Sequence, residues 1–204
     1  MRKLEDEEAL PLSTGTNRFK QKGSGKMAAT TLTTDQRRWF QGSFCIDDEG
    51  RPRRLYHSTS ADAAFDQFLP LTHFGTREAA LRRASNMERD EFVLYEAILN
   101  IRKPLVIGDS GRSSTFMIPD AVRSLPEDFW EDLSSREIDI LMEGEDEVAV
   151  PLFLDYVGDF GYDGILYANT IEGGTSYCIF NPGQAWIAGA EEPGVVPRSA
   201  AVSA

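Results

Sequence analysis

The run from Gly161 to Gln184 constrains this chain more than any other part of it. It holds two short apolar stretches, Ile165–Tyr167 and Tyr177–Phe180, separated by Gly173-Gly174, and Asn181-Pro182-Gly183 closes the second. β-Branched and aromatic residues bounded by Gly, Asn and Pro read as two strands joined by a tight connection. Glycine takes the positive φ that such a turn demands, and proline stops the second run. The pattern predicts a hairpin with one carboxylate, Glu172, at the lip of its turn. A turn acid alone is most often solvated. Glu172 gains interest from the chain's two histidines, His57 and His73, both about a hundred residues upstream.

The remaining segments supply an alternating frame. Thr34–Phe40 offers an N-cap and a short amphipathic helix, and Arg54–His57 reads as a strand whose polar exit, Ser58-Thr59-Ser60, suits a ligand-facing end. Phe65 and Phe68 pack inward from a short segment, and Leu71–Gly75 is a second brief strand. Thr76 caps a helix from Arg77 to about Met87, in which Ala79, Ala80 and Ala84 suit close packing. Phe92–Leu99 is the longest strand candidate, and it runs into Asn100–Ile107, which Gly108-Asp109 stops. Ile118–Leu125, Asp128–Leu133 and Arg136–Met142 read as short helices, followed by an acidic turn at Glu143–Glu147. A helix over Val148–Gly158 then packs through Leu152, Phe153 and Tyr156. Strand-rich segments alternating with short helices predict an α+β fold.

Met1–Lys26 is charged, rich in Gly, Ser and Thr and poor in aromatics, so a disordered tail is expected through residue 33. Gly23-Ser24-Gly25-Lys26 before Met27 reads either as an appended leader running into a second start or as a native flexible arm. One domain is expected over residues 34–190. After Gln184 the chain turns small and polar, and a flexible tail is expected over 191–204.

Composition excludes several functions. A chain of 204 residues supports one sizeable core. A formal charge of −12 argues against general affinity for nucleic-acid backbones, leaving local basic patches open. Cys45 and Cys178 form neither a disulfide framework nor a metal-spaced pair, and with two histidines no metal site is expected. No apolar run approaches a membrane span, and the polar N-terminus lacks a signal-peptide stretch, so a cytoplasmic location without membrane contact is expected. There is no Gly-rich phosphate loop opening a helix, no nucleophile elbow and no zincin helix. Candidate chemistry therefore rests on a combination. His57 and His73 are read either as ligand-orienting groups or as half-buried rings satisfying a backbone carbonyl. Asp163 is a second acid, though Tyr162-Asp163-Gly164 reads better as a turn in which the aspartate caps its own backbone.

Four pieces occur in a telling order: Leu55-Tyr56-His57-Ser58-Thr59, then Thr72-His73-Phe74-Gly75-Thr76 opening an Ala-rich helix, then Asn100…Pro104-Leu105 after the longest strand, then Gly161-Tyr162-Asp163-Gly164-Ile165…Glu172-Gly173…Ser176-Tyr177…Phe180…Pro182…Gln184. This order resembles the ADP-ribosyltransferase fold in its His-Tyr-Glu branch, which includes diphtheria toxin and the poly(ADP-ribose) polymerases. It is most like the transferase domains of phage and mobile-element polyvalent proteins. The resemblance covers roughly residues 54–187. It implies split antiparallel β-sheets with short flanking helices and a helical insertion, and NAD as co-substrate.

On that resemblance, His57 matches the histidine that hydrogen-bonds a ribose hydroxyl of NAD, and Tyr56 precedes it. Ser58 stands where the family has a glycine whose backbone holds the nicotinamide amide, a contact that a serine preserves only at negative φ. Thr59 takes the adjacent hydroxyl position. His73 falls where the polymerases carry tyrosine and lines the cleft, with the Phe74 ring behind or beside it. Ser176-Tyr177 falls where the polymerases carry Glu-Tyr, so the usual glutamate position is a serine here and Glu172 lies four residues earlier. In the polyvalent-type domains the acid is expected at Glu172. Arg53 or Arg54 is read either as a pyrophosphate ligand or as a solvated strand-edge residue.

The resemblance implies a mono-ADP-ribosyltransferase: NAD in, nicotinamide out, ADP-ribose placed on a macromolecular acceptor, protein rather than nucleic acid. Catalytic roles would fall to Glu172, His57 and His73. A bacterial or phage chain of this kind would be an effector or toxin, acting in the cytoplasm or delivered into a host cell. An NAD glycohydrolase, an RNA 2′-phosphate transferase and a catalytically inactive NAD-fold binding module are the alternatives. The acidic balance speaks against the RNA enzyme, and Ser176 keeps the binding module open.

Overall fold

A computed structural model describes residues 32–63, 65–87, 91–108 and 118–191. Of the tails expected at residues 1–33 and 191–204, all but Leu32, Thr33 and Glu191 lie outside the described residues, as does Asp109 of the strand stop. Thr33 caps the first helix and Glu191 ends the last strand, so neither belongs to a flexible tail. From Thr33 on, the described residues belong to one compact unit.

Helix α1, Thr34–Phe40, opens with a capping box in which Thr33, rather than Thr34, accepts from the Gln36 amide while the Gln36 side chain accepts from Thr33. In chain order there follow β1 (Leu55–Ser60), β2 (His73–Phe74), α2 (Arg77–Asn86), β3 (Phe92–Leu99) and β4 (Pro104–Ile107). Helices α3 (Ile118–Arg123), α4 (Glu127–Glu131), α5 (Ser135–Glu143) and α6 (Asp146–Asp159) come next, and β5 (Gly164–Ala168), β6 (Thr175–Ile179) and β7 (Ala185–Glu191) end the described chain. The expected acidic turn shrinks to Gly144-Glu145, because Glu143 ends α5 and Asp146 opens α6. The polar cluster Ser58-Thr59-Ser60 continues β1 to its end instead of leaving it.

The strands form two sheets, in the orders β1-β3-β7 and β2-β6-β5-β4. All pairings are antiparallel except β4 with β5, which run parallel and so depart from the antiparallel expectation. A parallel pair needs a long crossover, and α3–α6 supply it. The sheets meet at an isolated bridge between Tyr56 of β1 and Gly75, just past β2, made by two backbone hydrogen bonds of 2.8 and 3.0 Å.

β3 is buried along its whole length, as the middle strand of its sheet with both faces covered. On one face Phe92 and Leu94 pack against Ala80 and Ala84 of α2, whose Cβ-only side chains let the helix approach closely. On the other, Val93, Tyr95 and Ala97 join Leu55, Phe68, Phe74, Tyr177 and Ile179 in a core shared by residues of both sheets. A separate core gathers the crossover helices around Phe129, Phe153 and Val157, against Ile165 and Cys178.

The β5–β6 hairpin forms as its sequence predicts, with Tyr167 opposite Ser176 and Ala168 opposite Thr175. Gly173 and Gly174 take φ of 90° and 82°. β7 was not expected. Ala185-Trp186-Ile187-Ala188-Gly189-Ala190-Glu191 has weak strand propensity, and it becomes a strand because the free edge of β3 accepts its backbone from Leu94 to Leu99.

Candidate functional site

Alternation along β1 divides the residues expected to form one ligand surface. Leu55 faces the core between the sheets, and the His57 ring lies on that side, with Phe65, Phe68 and Phe74 centroids 6.1, 5.8 and 5.9 Å away. Tyr56 packs toward α2 and Phe92, and the buried Ser58 hydroxyl donates to the Ala80 carbonyl of α2 at 2.9 Å. Among the described residues Leu71 is the only non-glycine with positive φ, so Ser58 keeps the negative φ that a backbone ligand contact requires. Thr59 is buried.

His57 Nδ1 donates to the His73 carbonyl at 2.8 Å, because a carbonyl can only accept. The carbonyl-satisfying reading of His57 therefore holds for this nitrogen. With that proton on Nδ1, Nε2 is an acceptor only in the neutral form of the ring. In β2 the alternation repeats. Phe74 is buried in the shared core, while the His73 ring turns to the other side, with Nδ1 2.7 Å from the Tyr167 hydroxyl. Burial, then the nearby Arg83 guanidinium and His57, push the His73 pKa down to about 3. His73 is thus neutral and accepts from Tyr167. Burial raises the Tyr167 phenol far above its usual range, partly opposed by a hydrogen bond from Ser176. The Ser176 hydroxyl in turn accepts from Asn169 Nδ2 at 3.1 Å. A consistent train of donors runs from Asn169 through Ser176 and Tyr167 to His73.

Glu172 lies at the other side of Asn169. Its Oε2 accepts from Asn169 Nδ2 at 3.0 Å, and its amide donates to Asn169 Oδ1 at 2.9 Å. Its Oε1 accepts from Arg83 of α2 at 3.1 Å. The Glu172 side chain is only 11% exposed and that of Arg83 19%. The expectation of a solvated acid on an exposed lip is corrected here: the hairpin folds back onto α2 and covers the carboxylate. Arg82 crowds the same turn, with Nη1 3.3 Å from where a Cβ on Gly173 would lie.

The other expected ligands take structural partners. Arg54 is ion-paired with the buried Glu96 of β3, which Tyr56 also reaches with its hydroxyl at 3.3 Å. Its charge is thus matched by protein, so it is not a ready pyrophosphate ligand. Arg53 donates through Nε to the Ile46 carbonyl. Asp163 accepts from the amides of Arg102 and Lys103 at 2.7–3.1 Å, so it does cap backbone, but that of the β3–β4 connection and not its own. Ser176 and Tyr177 are buried on opposite faces of β6. A cavity of about 530 Å³ opens where β1, the start of α2 and the hairpin converge, lined by Arg54, Tyr56, Thr76, Thr175 and Tyr177 among others. Burial holds the thiols protonated, Cys45 with its pKa pushed up to about 12 and Cys178 higher still, so neither serves as a nucleophile at neutral pH.

His57, His73, Ser176 and Glu172 are thus joined by a chain of side-chain and main-chain contacts along β2, β6 and β5, whereas Tyr56 and Arg54 gather separately around Glu96 of β3. Sequence reasoning missed Arg83, Tyr167, Asn169 and Glu96. Asn169 had a legible signal, since an Asn three residues before an acid in a turn commonly hydrogen-bonds the backbone ahead of it. Arg83 had none. No family model, no curated protein and no solved structure matches this chain.

Proposed function

We propose that the protein is a mono-ADP-ribosyltransferase, built on an ADP-ribosyltransferase-like split-sheet frame, that cleaves NAD and transfers ADP-ribose to a macromolecular acceptor. One observation carries the reading. The β1 histidine and the hairpin acid, 115 positions apart, are linked through β2: His57 Nδ1 bonds the His73 main chain, and the His73 side chain, on the other face, leads through Tyr167, Ser176 and Asn169 to Glu172.

Cleaving the bond from nicotinamide nitrogen to ribose carbon leaves oxocarbenium character on the sugar. A carboxylate held near the ribose stabilises that charge in the transition state more than in the ground state, which lowers the barrier. Glu172 is the acid available to do so, and Asp163 is consumed in holding the β3–β4 connection. On this reading the His57 ring, oriented by the bond from Nδ1 to the His73 carbonyl, is the one that hydrogen-bonds a ribose hydroxyl. Of the rings around His57, Phe68 and Phe74 are 1% exposed and pack behind it, and the partly exposed Phe65 is the one that a flat nicotinamide ring can meet.

A second reading, an NAD-type frame kept as a binding module, is favoured by the pairing of Glu172 with Arg83, which already neutralises the acid. Incubating the protein with NAD and measuring nicotinamide release separates the two. An active enzyme releases nicotinamide, and E172Q lowers the rate by about 10²-fold or more. Binding of NAD without release supports the module. Full activity in E172Q refutes the acid assignment. Labelled transfer to lysate, with and without protease or nuclease, then separates transferase from glycohydrolase and identifies the acceptor class.

A further inference from the structure

We infer that Asn169 is the positioning residue that aims Glu172 and, through Ser176 and Tyr167, fixes the His73 ring. The inference rests on the reading of Glu172 as the working acid and extends it to a residue outside the expected site. Asn169 is buried just past β5, and both ends of its amide are engaged. Its Oδ1 takes the Glu172 amide, and its Nδ2 donates to both Glu172 Oε2 and Ser176 Oγ. Its backbone closes the turn as well, donating to the Gly174 carbonyl at 2.9 Å and accepting from the Gly173 amide at 2.8 Å.

An amide has two N–H donors at a fixed angle, so both acceptors are set by one planar group. With Arg83 on the opposite oxygen, the carboxylate is held from two sides and cannot rotate freely. The Ser176 hydroxyl, its lone pair occupied by Asn169, turns its proton toward Tyr167, and the Tyr167 proton is then directed to His73 Nδ1. A main-chain role alone would need only the Oδ1 bond to the Glu172 amide. The Nδ2 bonds are the ones that reach the acid and the imidazole.

Substituting Asn169→Asp separates these roles. The aspartate keeps an acceptor for the Glu172 amide, but it sets an oxygen where Nδ2 lay, against Glu172 Oε2 and Ser176 Oγ. The charged and titratable groups facing Glu172 are Arg83 and Arg82 from α2 and Tyr167 from β5, with His73 of β2 behind Tyr167. A second carboxylate among them opposes ionisation of the pair. The expected result for N169D is a kcat for nicotinamide release lower by about 10²-fold, as for a misdirected catalytic group, with KM for NAD changed far less. The acidic limb of its kcat profile moves to higher pH. Asn169→Ser, which adds no charge, loses rate without moving that limb, and it serves if N169D fails to show a cooperative thermal transition. The His73 ring ¹⁵N shifts, read by NMR without NAD, change in both variants. Wild-type kcat, or an unmoved limb in N169D together with unchanged His73 shifts, overturns the inference. Absence of nicotinamide release in the wild type defeats the underlying reading instead, and that is read from the wild-type arm alone.

Discussion

Removing Arg83 tests whether the polar cluster is a built feature of the fold. Replacing it with glutamine deletes the cation opposite Glu172 Oε1 and leaves a carboxylate, 11% exposed, held by Asn169 alone. Taking one partner from a fully buried pair costs about 3–5 kcal/mol, while exposed pairs are worth about 0–1 kcal/mol. With 19% and 11% exposure the Arg83–Glu172 pair lies nearer the buried limit, and residual solvation lowers the cost to about 2–3 kcal/mol. For a domain of this size that is a fall in Tm of about 4–12 °C. The assay is urea and thermal unfolding of wild type, R83Q, E172Q and the double variant, analysed as a thermodynamic cycle. A coupling energy of about 1–3 kcal/mol is expected, since each single change strands the other partner and the double change does not. R83Q within about 0.5 kcal/mol of wild type would refute the reasoning, because the pair would then behave as a solvated surface contact.

The depressed pKa of His73, about 3 against 6.5 unfolded, makes stability pH-dependent. The unfolded chain binds the extra proton between those values, so this contribution is complete above pH 6.5 and is lost as pH falls toward 3. H73Q should flatten the stability-versus-pH slope between pH 5 and 6.5 by up to about 1.4 kcal/mol per pH unit, measured by urea titrations; an unchanged slope refutes it. A Cβ on Gly164 would sit 2.8 Å from the Cys178 carbonyl and 2.8 Å from Ile101 Cγ2, whereas one on Gly158 in α6 meets nothing within 4 Å. G164A should therefore destabilise by about 1–3 kcal/mol. G158A should stabilise by about 0.5–1 kcal/mol on helix propensity, and the reverse order in thermal melts would contradict the packing described.

Local chemistry explains what could be read without coordinates. Gly173-Gly174 between two apolar runs is a turn whatever surrounds it, and Thr76 before an alanine-rich run is a helix start. Phe92–Leu99 was legible as a strand because its run of apolar residues, interrupted only by Glu96, suits burial on both faces. Glu96 itself was not legible as a site residue. Its burial follows from standing opposite Tyr56 in register and beside Arg54, partners that come from β1 and the residue just before it.

Turns, caps and the longest strand followed from residues within a few positions of one another, because glycine conformations, capping hydroxyls and apolar runs act over that range. β7, the sorting of His57 from Tyr56 onto opposite faces, and the partners of Glu172 and Asp163 came only with the fold. Each depends on a strand edge, a packed sheet face or a charge from a distant part of the chain, 61 to 97 positions away for the β7, Glu172 and Asp163 partners. Such partners are chosen by which surfaces the sheets bury, and no local preference of the chain encodes that choice.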